Sequence, residues 1–437
     1  MGCSEVVMLS EKQPSSMTGQ GLTALSLGVV IVLYLAHSLP LYFYNVALPA
    51  ILRHQGVDLR WIGMLSLLYL PWAFKFFWAP YIDRFYIKKL GKRKTWLLLT
   101  QIALVFGVLA LAMTQFSYGL GVFVIVGLWI SSFAATQDIA IDGYTVESFQ
   151  EADYRFGSMA QSIGVALGSM IGGAATLWLY QYYGWQFALT TLAVLTALTM
   201  LAIFWIKEPS TGSKITEKNV LTQPSLKRAF KRPEILWALA LILCYRVVEA
   251  PAMAMLNPML IDQQWSLSQI GVLMSVIGAG VGLLAAVSAA FLLKKIASTQ
   301  LLIWAAWCRT ALYAVMGFAI ILGWFEQWHL LLAFCVVLML AIRYIAMTSL
   351  YAYFMQSASK SQAGTDFTLL VCFELLVYFI GGAFSGFLAK GLGYGNFYLV
   401  LAVASVLSVV LSQIIISQIK KHKTHQKNTV SHSEENP

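Results

Sequence analysis

The segment AATQDIAIDGY, residues 134–144, places Asp138 and Asp142 four residues apart in an otherwise apolar stretch. Residues at i and i+4 lie on one face of a helix. The surrounding residues 119–145 are long and apolar enough to cross a bilayer as a helix. A carboxylate at membrane depth is costly and usually faces a water-filled path or an opposite charge. We therefore predict a spanning helix in which Asp138 and Asp142 couple proton movement to solute movement.

The composition indicates a protein that crosses a membrane many times. Of its 437 residues, 59% are hydrophobic and 11% are charged, whereas a soluble domain carries about 25% charged residues. The net charge of +10 arises mostly in short loops between apolar segments, so it does not indicate binding to nucleic acid. The sequence predicts an all-α polytopic membrane protein.

Apolar runs of about 20 residues predict about 12 transmembrane helices. Basic clusters follow the second, sixth, eighth, tenth and twelfth of them, so the positive-inside rule puts both termini in the cytoplasm. The predicted helices, numbered 1 to 12, are residues 22–50, 61–82, 95–115, 119–145, 157–181, 184–206, 234–262, 268–293, 299–323, 328–356, 365–390 and 394–418.

Short landmarks recur at an offset of about 208 residues and divide the chain into two halves. Residues 48–50 and 61–66 resemble residues 257–259 and 269–274, and Gly157 matches Gly364. Two parallel six-helix halves form the pseudo-symmetric plan of major facilitator transporters, with the substrate site between them. The predicted parts are a cytoplasmic tail (1–21), an N-terminal bundle (22–206), a cytoplasmic linker (207–233), a C-terminal bundle (234–418) and a second cytoplasmic tail (419–437).

Glycines spaced four residues apart on helices 5, 8 and 11 predict close approach of helix backbones. In a major facilitator fold these helices contribute to the contact between halves, so we expect the glycines there. Packing within one half is the open alternative. The glycines are Gly164, Gly168 and Gly172 on helix 5, Gly278 and Gly282 on helix 8, and Gly382 and Gly386 on helix 11.

Charged residues inside the predicted helices are few, and most fall on helices 4, 7 and 10, which line the cavity of a major facilitator. We predict that Asp138, Asp142 and Glu147 take part in proton coupling. Arg343 has roughly the repeat position of Asp138 and could face it across the cavity. The alternative is a set of static buried ion pairs. Arg246 and Glu249 could pair with each other within helix 7, and we expect Arg309 to be structural. The remaining charges are Lys75 and Glu374.

Aromatic residues on the cavity helices could stack on a ligand. His37 is a further, weaker proton-relay candidate. The candidate stacking residues are Tyr34, Tyr42, Tyr44, Tyr144 and Tyr245.

Motifs for ATP hydrolysis or metal catalysis are absent from the sequence. It has neither a Walker-type loop ending in Lys-Ser/Thr nor a His-Glu-x-x-His pair. We therefore expect no enzyme activity, no cofactor and no ATPase subunit. A membrane-embedded enzyme or sensor that borrows the fold is the competing class.

Several motifs resemble the major facilitator superfamily and, within it, the AmpG-like permeases. Asp83-Arg84 followed by LGKRK at residues 90–94 resembles the conserved helix 2–3 loop of the superfamily. The motifs GVDL at 56–59, LPWAFKFFWAP at 70–80 and QDIAID at 137–142 resemble the permease branch. That branch includes muropeptide permeases, siderophore importers of bacterial inner membranes and acetyl-CoA transporters.

The resemblance implies a role for each matched residue. Asp83 and Arg84 would belong to a gating loop. The candidate cargoes carry carboxylates, so Lys75, Arg246 and Arg343 would engage an anionic substrate, with Glu249 and Tyr144 completing the predicted binding set.

Two departures from the muropeptide permeases favour a siderophore importer. Those permeases carry extra helices, and they have Ala-Tyr-Arg after the second aspartate, where this chain has Gly143-Tyr144-Thr145. The first prediction is a proton-coupled siderophore importer of the bacterial inner membrane. An anhydro-muropeptide permease is the alternative.

Overall fold

The structure, a computed structural model, describes residues 23–55, 64–114, 120–206, 208 and 224–434. Those residues contain helices and no strand, which confirms the predicted all-α architecture. The predicted tail 1–21, most of the linker 207–233 and the start of helix 2 lie outside the described residues, as do the landmark residues 61–63 and the GVDL motif.

Six spanning helices, α1 to α6, make the N-terminal half. α1 comprises Ala24–Tyr42, the π-helical Phe43–Ala47 and Leu48–His54; α2 comprises Met64–Tyr69, Leu70–Phe74, Lys75–Phe77 and Ala79–Arg84; α3 is Lys92–Ala112; α4 is Leu120–Ser148; α5 comprises Tyr154–Gly168, the π-helical Ser169–Ala175 and the part of Thr176–Thr199 before Gly184; α6 is the rest of Thr176–Thr199 with Leu201–Phe204.

Six further spanning helices, α7 to α12, make the C-terminal half. The short helix Leu226–Phe230 precedes them, and Trp324–Gln327 lies between α9 and α10. α7 comprises Pro233–Ala254 and Leu256–Asp262; α8 comprises Leu267–Gly271, the π-helical Val272–Ile277 and Gly278–Leu292; α9 is Ser298–Ile321; α10 is His329–Ser357; α11 and α12 share Ala363–Glu434 and divide at Gly393.

Among the described residues, nine continuous helices are long and apolar enough to span a membrane. Two of the nine each contain a glycine with positive φ, Gly184 and Gly393, where the chain turns between two spanning segments. α2 is missing from the nine because it is broken into short pieces. Pro71 and Pro80 each lie at the start of a piece, where the missing N–H of proline is tolerated.

The last helix is longer than predicted. α12 continues to Glu434, so residues 419–434 of the predicted tail extend the helix beyond the predicted end at residue 418. The sequence runs from Ile419 into lysines, a change of polarity that marks the end of the apolar span without breaking the helix.

The two halves meet through α5 against α8 and α10, and through α2 and α4 against α11. The glycines spaced four apart were expected between the halves. That prediction was wrong for the glycines for which a neighbouring helix is described, because each packs within its own half. Gly164, Gly168 and Gly172 pack on α1 of the same half. The approach is closest at Gly172, where a Cβ would meet the Leu39 carbonyl oxygen at 2.0 Å. Gly278 and Gly282 likewise pack on α10, and Gly382 packs on α7.

The two ends of the bundle differ in charge. We call the end that holds the α2–α3 loop, residues 85–91, and the starts of α7 and α11 the basic face, and the other end the opposite face. The positive-inside rule predicts that the basic face is cytoplasmic.

Candidate functional site

Asp138 on α4 forms a buried ion pair with Lys75 on α2. The Nε2 atom of His37 on α1 lies 3.5 Å from the other oxygen of Asp138. The Lys75 ammonium also lies 4.8 Å from the ring centroid of Trp72, one turn earlier on α2. Lys75 itself is fully buried. Three helices of the N-terminal half therefore converge on one carboxylate.

Asp142 has a different environment, one turn further along α4. Its Oδ1 accepts a hydrogen bond of 2.7 Å from the hydroxyl of Tyr34. Its Oδ2 is buried and has no hydrogen-bond partner among the described residues. Lys75 is committed to Asp138, so no cation is in contact with Asp142 among the described ion pairs. Of the two carboxylates on α4, only Asp138 therefore has a lysine partner among the described ion pairs.

The C-terminal half holds a second buried cluster, centred on Arg246 of α7. Arg246 pairs with Glu249 at 2.5 Å, which confirms the predicted pairing within α7. It also pairs with Glu374 on α11. Glu374 accepts a hydrogen bond of 3.0 Å from the hydroxyl of Tyr351 on α10. Glu374 was not in the predicted binding set, although a carboxylate inside an apolar helix was a signal for it.

Arg343 is the most accessible member of the predicted binding set for which the structure gives contacts. Its side chain is 29% exposed, and its Nε lies 3.4 Å from Glu249. The guanidinium also lies 5.6 Å from the ring centroid of Tyr378. The described ion pairs join Asp138 to Lys75 and Arg343 to Glu249. That Arg343 and Asp138 face each other across the cavity stays a prediction.

Arg309 has the structural position that the sequence predicts. It is buried and donates to the Tyr245 backbone carbonyl at 3.1 Å and to the hydroxyl of Ser405 at 3.2 Å. It therefore ties α9 to α7 and α12. Its guanidinium also stacks on the Tyr245 ring at 4.3 Å.

A network of charged groups joins the halves at the basic face. Asp83, at the end of α2, accepts 2.7 Å hydrogen bonds from both the backbone N–H and the hydroxyl of Thr365 on α11. Arg93 on α3 donates to Asp83 at 2.8 Å and to Glu147 at 2.6 and 2.8 Å. Lys92 contacts both carboxylates, at 3.2 and 2.8 Å. We call Asp83, Lys92, Arg93, Glu147 and Thr365 the gate cluster.

The gate cluster separates two predicted roles. Glu147 contacts Lys92 and Arg93 and has no described contact with Asp138 or Asp142. Its position therefore favours a role in stabilising the gate cluster. Its proton-coupling role stays a prediction. Arg84 is exposed and its guanidinium lies over the Phe85 ring at 5.1 Å. The buried arginine that contacts Asp83 is thus Arg93, and the gating role of Arg84 stays a prediction.

Two glycines make room for the Arg93 guanidinium. A Cβ on Gly143 of α4 would lie 2.3 Å from Cζ of Arg93, and one on Gly364 of α11 would lie 3.2 Å from its Nη1. The guanidinium is thus enclosed between helices of the two halves. Gly143 is where the sequence departs from the muropeptide permeases, and here it has a packing reason.

Glu208, after α6, fixes the start of α3. Its carboxylate accepts hydrogen bonds from the backbone N–H groups of Lys92, Arg93 and Lys94 at 2.6, 2.9 and 2.6 Å. These are among the N–H groups that a helix start leaves without partners. The backbone that carries Lys92 and Arg93 is held in place as a result. No sequence pattern pointed to this residue.

Most of the predicted stacking tyrosines are buried in packed surroundings. Tyr34, Tyr44, Tyr144 and Tyr245 are each less than 5% exposed, and Tyr144 lies in the apolar core. Tyr42 alone of the predicted set is partly exposed.

A sequence model described as the Major Facilitator Superfamily matches residues 30–367. The anhydromuropeptide permease of Escherichia coli strain K12 is 25% identical over 397 residues, 88% of this chain and 78% of that protein. The putative transporter AmpG 3 of Rickettsia prowazekii is 28% identical over 234 residues, 50% of this chain and 55% of that protein. A solved human organic anion transporter, MFSD10, aligns with a TM-score of 0.67 at 14% identity, covering 90% of this chain and 100% of that one.

Proposed function

The chain belongs to the major facilitator superfamily, among its AmpG-like permeases, and we propose that it is a proton-coupled importer of a bulky anionic solute. It would work in the inner membrane of a bacterium by alternating access. The cargo would cross the membrane without chemical change.

The observation that carries the proposal is that only one of two buried carboxylates on α4 has a lysine as its partner. Asp138 has Lys75 as its cation, while Asp142 has the Tyr34 hydroxyl and an oxygen without a partner. An ionised carboxylate without a cation is costly in an apolar interior, and a bound proton removes that cost. Asp142 is therefore the proposed proton carrier, with the Lys75–Asp138 pair beside it.

The C-terminal half has the opposite imbalance. Its buried cluster, the structural Arg309 and the partly exposed Arg343 together comprise three guanidinium groups and two carboxylates: Arg246, Arg309, Arg343, Glu249 and Glu374. An anionic cargo bound at the partly exposed Arg343 would balance this charge, because guanidinium binds carboxylate in a bidentate geometry. A proton on Asp142 and an anion at Arg343 would together neutralise these two sets of charges.

The two imbalances meet at the interface between halves. The thiol of Cys372, two residues before Glu374 on α11, donates to the backbone carbonyl of Trp72 on α2 at 3.4 Å. Trp72 in turn lies against the Lys75 ammonium of the other cluster. A proton bound on α4 and a cargo bound in the C-terminal half would therefore affect each other's binding energy across the interface.

The gate cluster supplies the conformational step of the proposal. In this structure Asp83 is hydrogen-bonded to Thr365 across the interface, so the halves are joined at the basic face. Import requires these bonds to break, so that the cargo leaves toward the basic face. Binding energy from proton and cargo must offset the cost of breaking them.

An anhydro-muropeptide is the proposed cargo. The predicted first choice, a siderophore, gains no support from the relatives described above. The permease of E. coli matches 88% of this chain and is named for anhydro-muropeptide. Anhydro-muropeptide is also anionic, which agrees with the excess positive charge of the cluster in the C-terminal half.

Uptake into proteoliposomes tests the cargo. The purified chain would be given an acidic exterior and labelled anhydro-muropeptide, with a ferric siderophore in a parallel assay. We expect muropeptide to accumulate unchanged and a protonophore to abolish the accumulation. Accumulation of the siderophore alone would move the cargo to the siderophore. Chemical conversion of the cargo would place the chain in the competing enzyme class.

The proton carrier is tested by Asp142→Asn, which keeps the shape of the side chain and removes its charge. We expect proton-driven uptake to be lost while membrane insertion stays intact. Asp153→Asn, in the short segment between α4 and α5, is the matched control. Full uptake by Asp142→Asn would contradict the assignment.

A further inference from the structure

We propose that four tyrosines around Arg343 form a binding site for a saccharide ring, next to the guanidinium that binds the carboxylate of the same cargo. The four, called the tyrosine cluster, are Tyr42, Tyr69, Tyr344 and Tyr378. This inference rests on the proposed function, because it assigns parts of the same cargo to parts of the same cavity.

The cluster draws on both halves of the molecule. Tyr42 is on α1 and Tyr69 on α2, while Tyr344 is on α10 and Tyr378 on α11. The Arg343 guanidinium lies 5.6 Å from the ring centroid of Tyr378, and Tyr344 follows Arg343 directly on α10. Phe379 of α11 contacts both Tyr378 and Tyr69, which joins the two halves at this level. Residues that converge from four helices of two halves mark a site between those halves.

The tyrosine cluster lies nearer the opposite face than the buried polar and charged groups on the same four helices. Along each of the four helices, the tyrosine lies four to seven residues nearer the opposite face than the buried group on that helix. At about 1.5 Å per residue this separation is roughly 6–10 Å. The reference groups are His37 on α1, Lys75 on α2, Tyr351 on α10 and Glu374 on α11. A cargo that enters from the opposite face would meet the tyrosines before the charges.

The rings of the cluster are accessible, unlike most other tyrosines on these helices. Tyr69 is 38% exposed, and Tyr42, Tyr344 and Tyr378 are partly exposed. By contrast, Tyr34, Tyr351 and Tyr44 are less than 7% exposed. Arg343 is itself 29% exposed. The accessible rings and the accessible guanidinium therefore coincide.

The rings are also held in position by neighbours outside the cluster. Tyr69 contacts Phe379 edge-on at 6.4 Å, and Phe379 contacts Tyr378 at 6.5 Å. Tyr344 packs on Gly282 of α8, where a Cβ would approach its ring to 2.6 Å. Rings fixed in this way lose little conformational entropy when a ligand binds, which favours affinity.

The chemistry of the cluster fits a sugar. A saccharide ring has one face of C–H groups and an edge of hydroxyl groups. Tyrosine presents an apolar ring face and a polar hydroxyl, so it can contact both. An interfacial aromatic belt is the competing interpretation. Belt residues lie at helix ends, whereas Tyr344 and Tyr378 lie in the middle of α10 and α11 beside a guanidinium.

The test compares two ligands on the same purified protein. Labelled anhydro-muropeptide carries both sugar and carboxylates, and the same peptide without its sugar carries only the carboxylates. We expect Tyr378→Ala and Tyr42→Ala each to weaken muropeptide binding about tenfold, on the order of a lost stacking contact. Binding of the free peptide should not change.

Two further variants separate a lost ring from lost folding. Tyr378→Phe keeps the ring and should bind muropeptide within a few-fold of the wild type, while Tyr378→Leu keeps bulk without the ring and should behave like Tyr378→Ala. Tyr182→Ala, a tyrosine 65% exposed at the end of α5, is the matched control.

Each outcome decides one claim. Unchanged muropeptide binding in the alanine variants, or an equal loss for both ligands, would overturn the saccharide site and leave the proposed cargo standing. Failure of the wild type to bind either ligand would overturn the proposed cargo, and the saccharide site with it.

Discussion

Gly143→Ala should open the basic face, because the added methyl group collides with Arg93. The new Cβ would lie 2.3 Å from Cζ of Arg93 and 2.5 Å from its Nη1. The guanidinium must therefore withdraw by about 1 Å to reach an ordinary contact distance. The guanidinium also borders Gly364 of α11, where a Cβ would lie 3.2 Å from its Nη1, so its displacement should disturb the contact with the other half.

The size of the effect follows from the bonds that Arg93 makes. Its hydrogen bonds to Asp83 and Glu147 are 2.6–2.8 Å long, and a lengthening of about 1 Å breaks such a bond. A hydrogen bond between charged groups contributes about 2 kcal/mol. Arg93 also orients Asp83, which accepts the two hydrogen bonds from Thr365 that cross the interface. Loss of one of these two bonds should lower the ratio of closed to open molecules about 30-fold.

Distances between spin labels measure this ratio. Labels would be attached at Lys89→Cys in the α2–α3 loop and at Lys360→Cys before α11, two exposed positions on different halves. The five native cysteines would first be replaced. Gly143→Ala should shift the distance distribution to longer values. Gly121→Ala is the control on the same helix, since its Cβ would meet nothing within 4 Å. An unchanged distribution in Gly143→Ala would refute the role given to Arg93.

Three further predictions concern the buried polar contacts. Glu208→Ala should lower the thermal unfolding temperature by a few degrees through loss of the helix cap on α3, and an unfolding temperature equal to that of the exposed control Glu151→Ala would argue against the cap. Lys75→Met should destabilise the protein by leaving Asp138 without its cation. The double variant Lys75→Met/Asp138→Asn should restore thermal stability without restoring uptake. A double variant as unstable as the single variant would contradict the pairing. Arg309→Gln should lower the unfolding temperature, because it removes the contacts to α7 and α12, and should raise KM, because it removes the excess positive charge that the cargo would balance. An unchanged unfolding temperature would argue against the structural role of Arg309.

The coarse architecture could be predicted from the sequence because bilayer thickness fixes the length of a spanning segment. The twelve apolar runs became α1 to α12, including the broken α2, whose Pro71 and Pro80 were visible beforehand. The pairing of Arg246 with Glu249 was also predictable, since residues three apart share a helical face.

Partners on different helices could not be predicted in the same way. The choice of Lys75 for Asp138, and of Glu374 for Arg246, depends on how each helix is rotated about its axis. Glycine spacing shows that two backbones can approach, and it does not name the neighbour. For that reason Gly164 and Gly168 were expected between halves and instead pack on α1.

The gate cluster shows the same limit. The loop motif drew attention to Asp83 and Arg84, but the structure buries Arg93 and leaves Arg84 exposed. Glu208 contacts α3 from a segment that follows α6, more than 100 residues later in the chain. Only the three-dimensional arrangement brings such residues together.

Proton movement linked to cargo movement is the central claim, and a pH-sensitive dye inside proteoliposomes measures it most directly. Anhydro-muropeptide would be added outside, with the same pH on both sides. We predict that the wild type acidifies the lumen as cargo enters, and that Asp142→Asn exchanges cargo without acidification. Entry of cargo into wild-type vesicles at constant lumenal pH, or acidification by Asp142→Asn at the wild-type rate, would contradict the account.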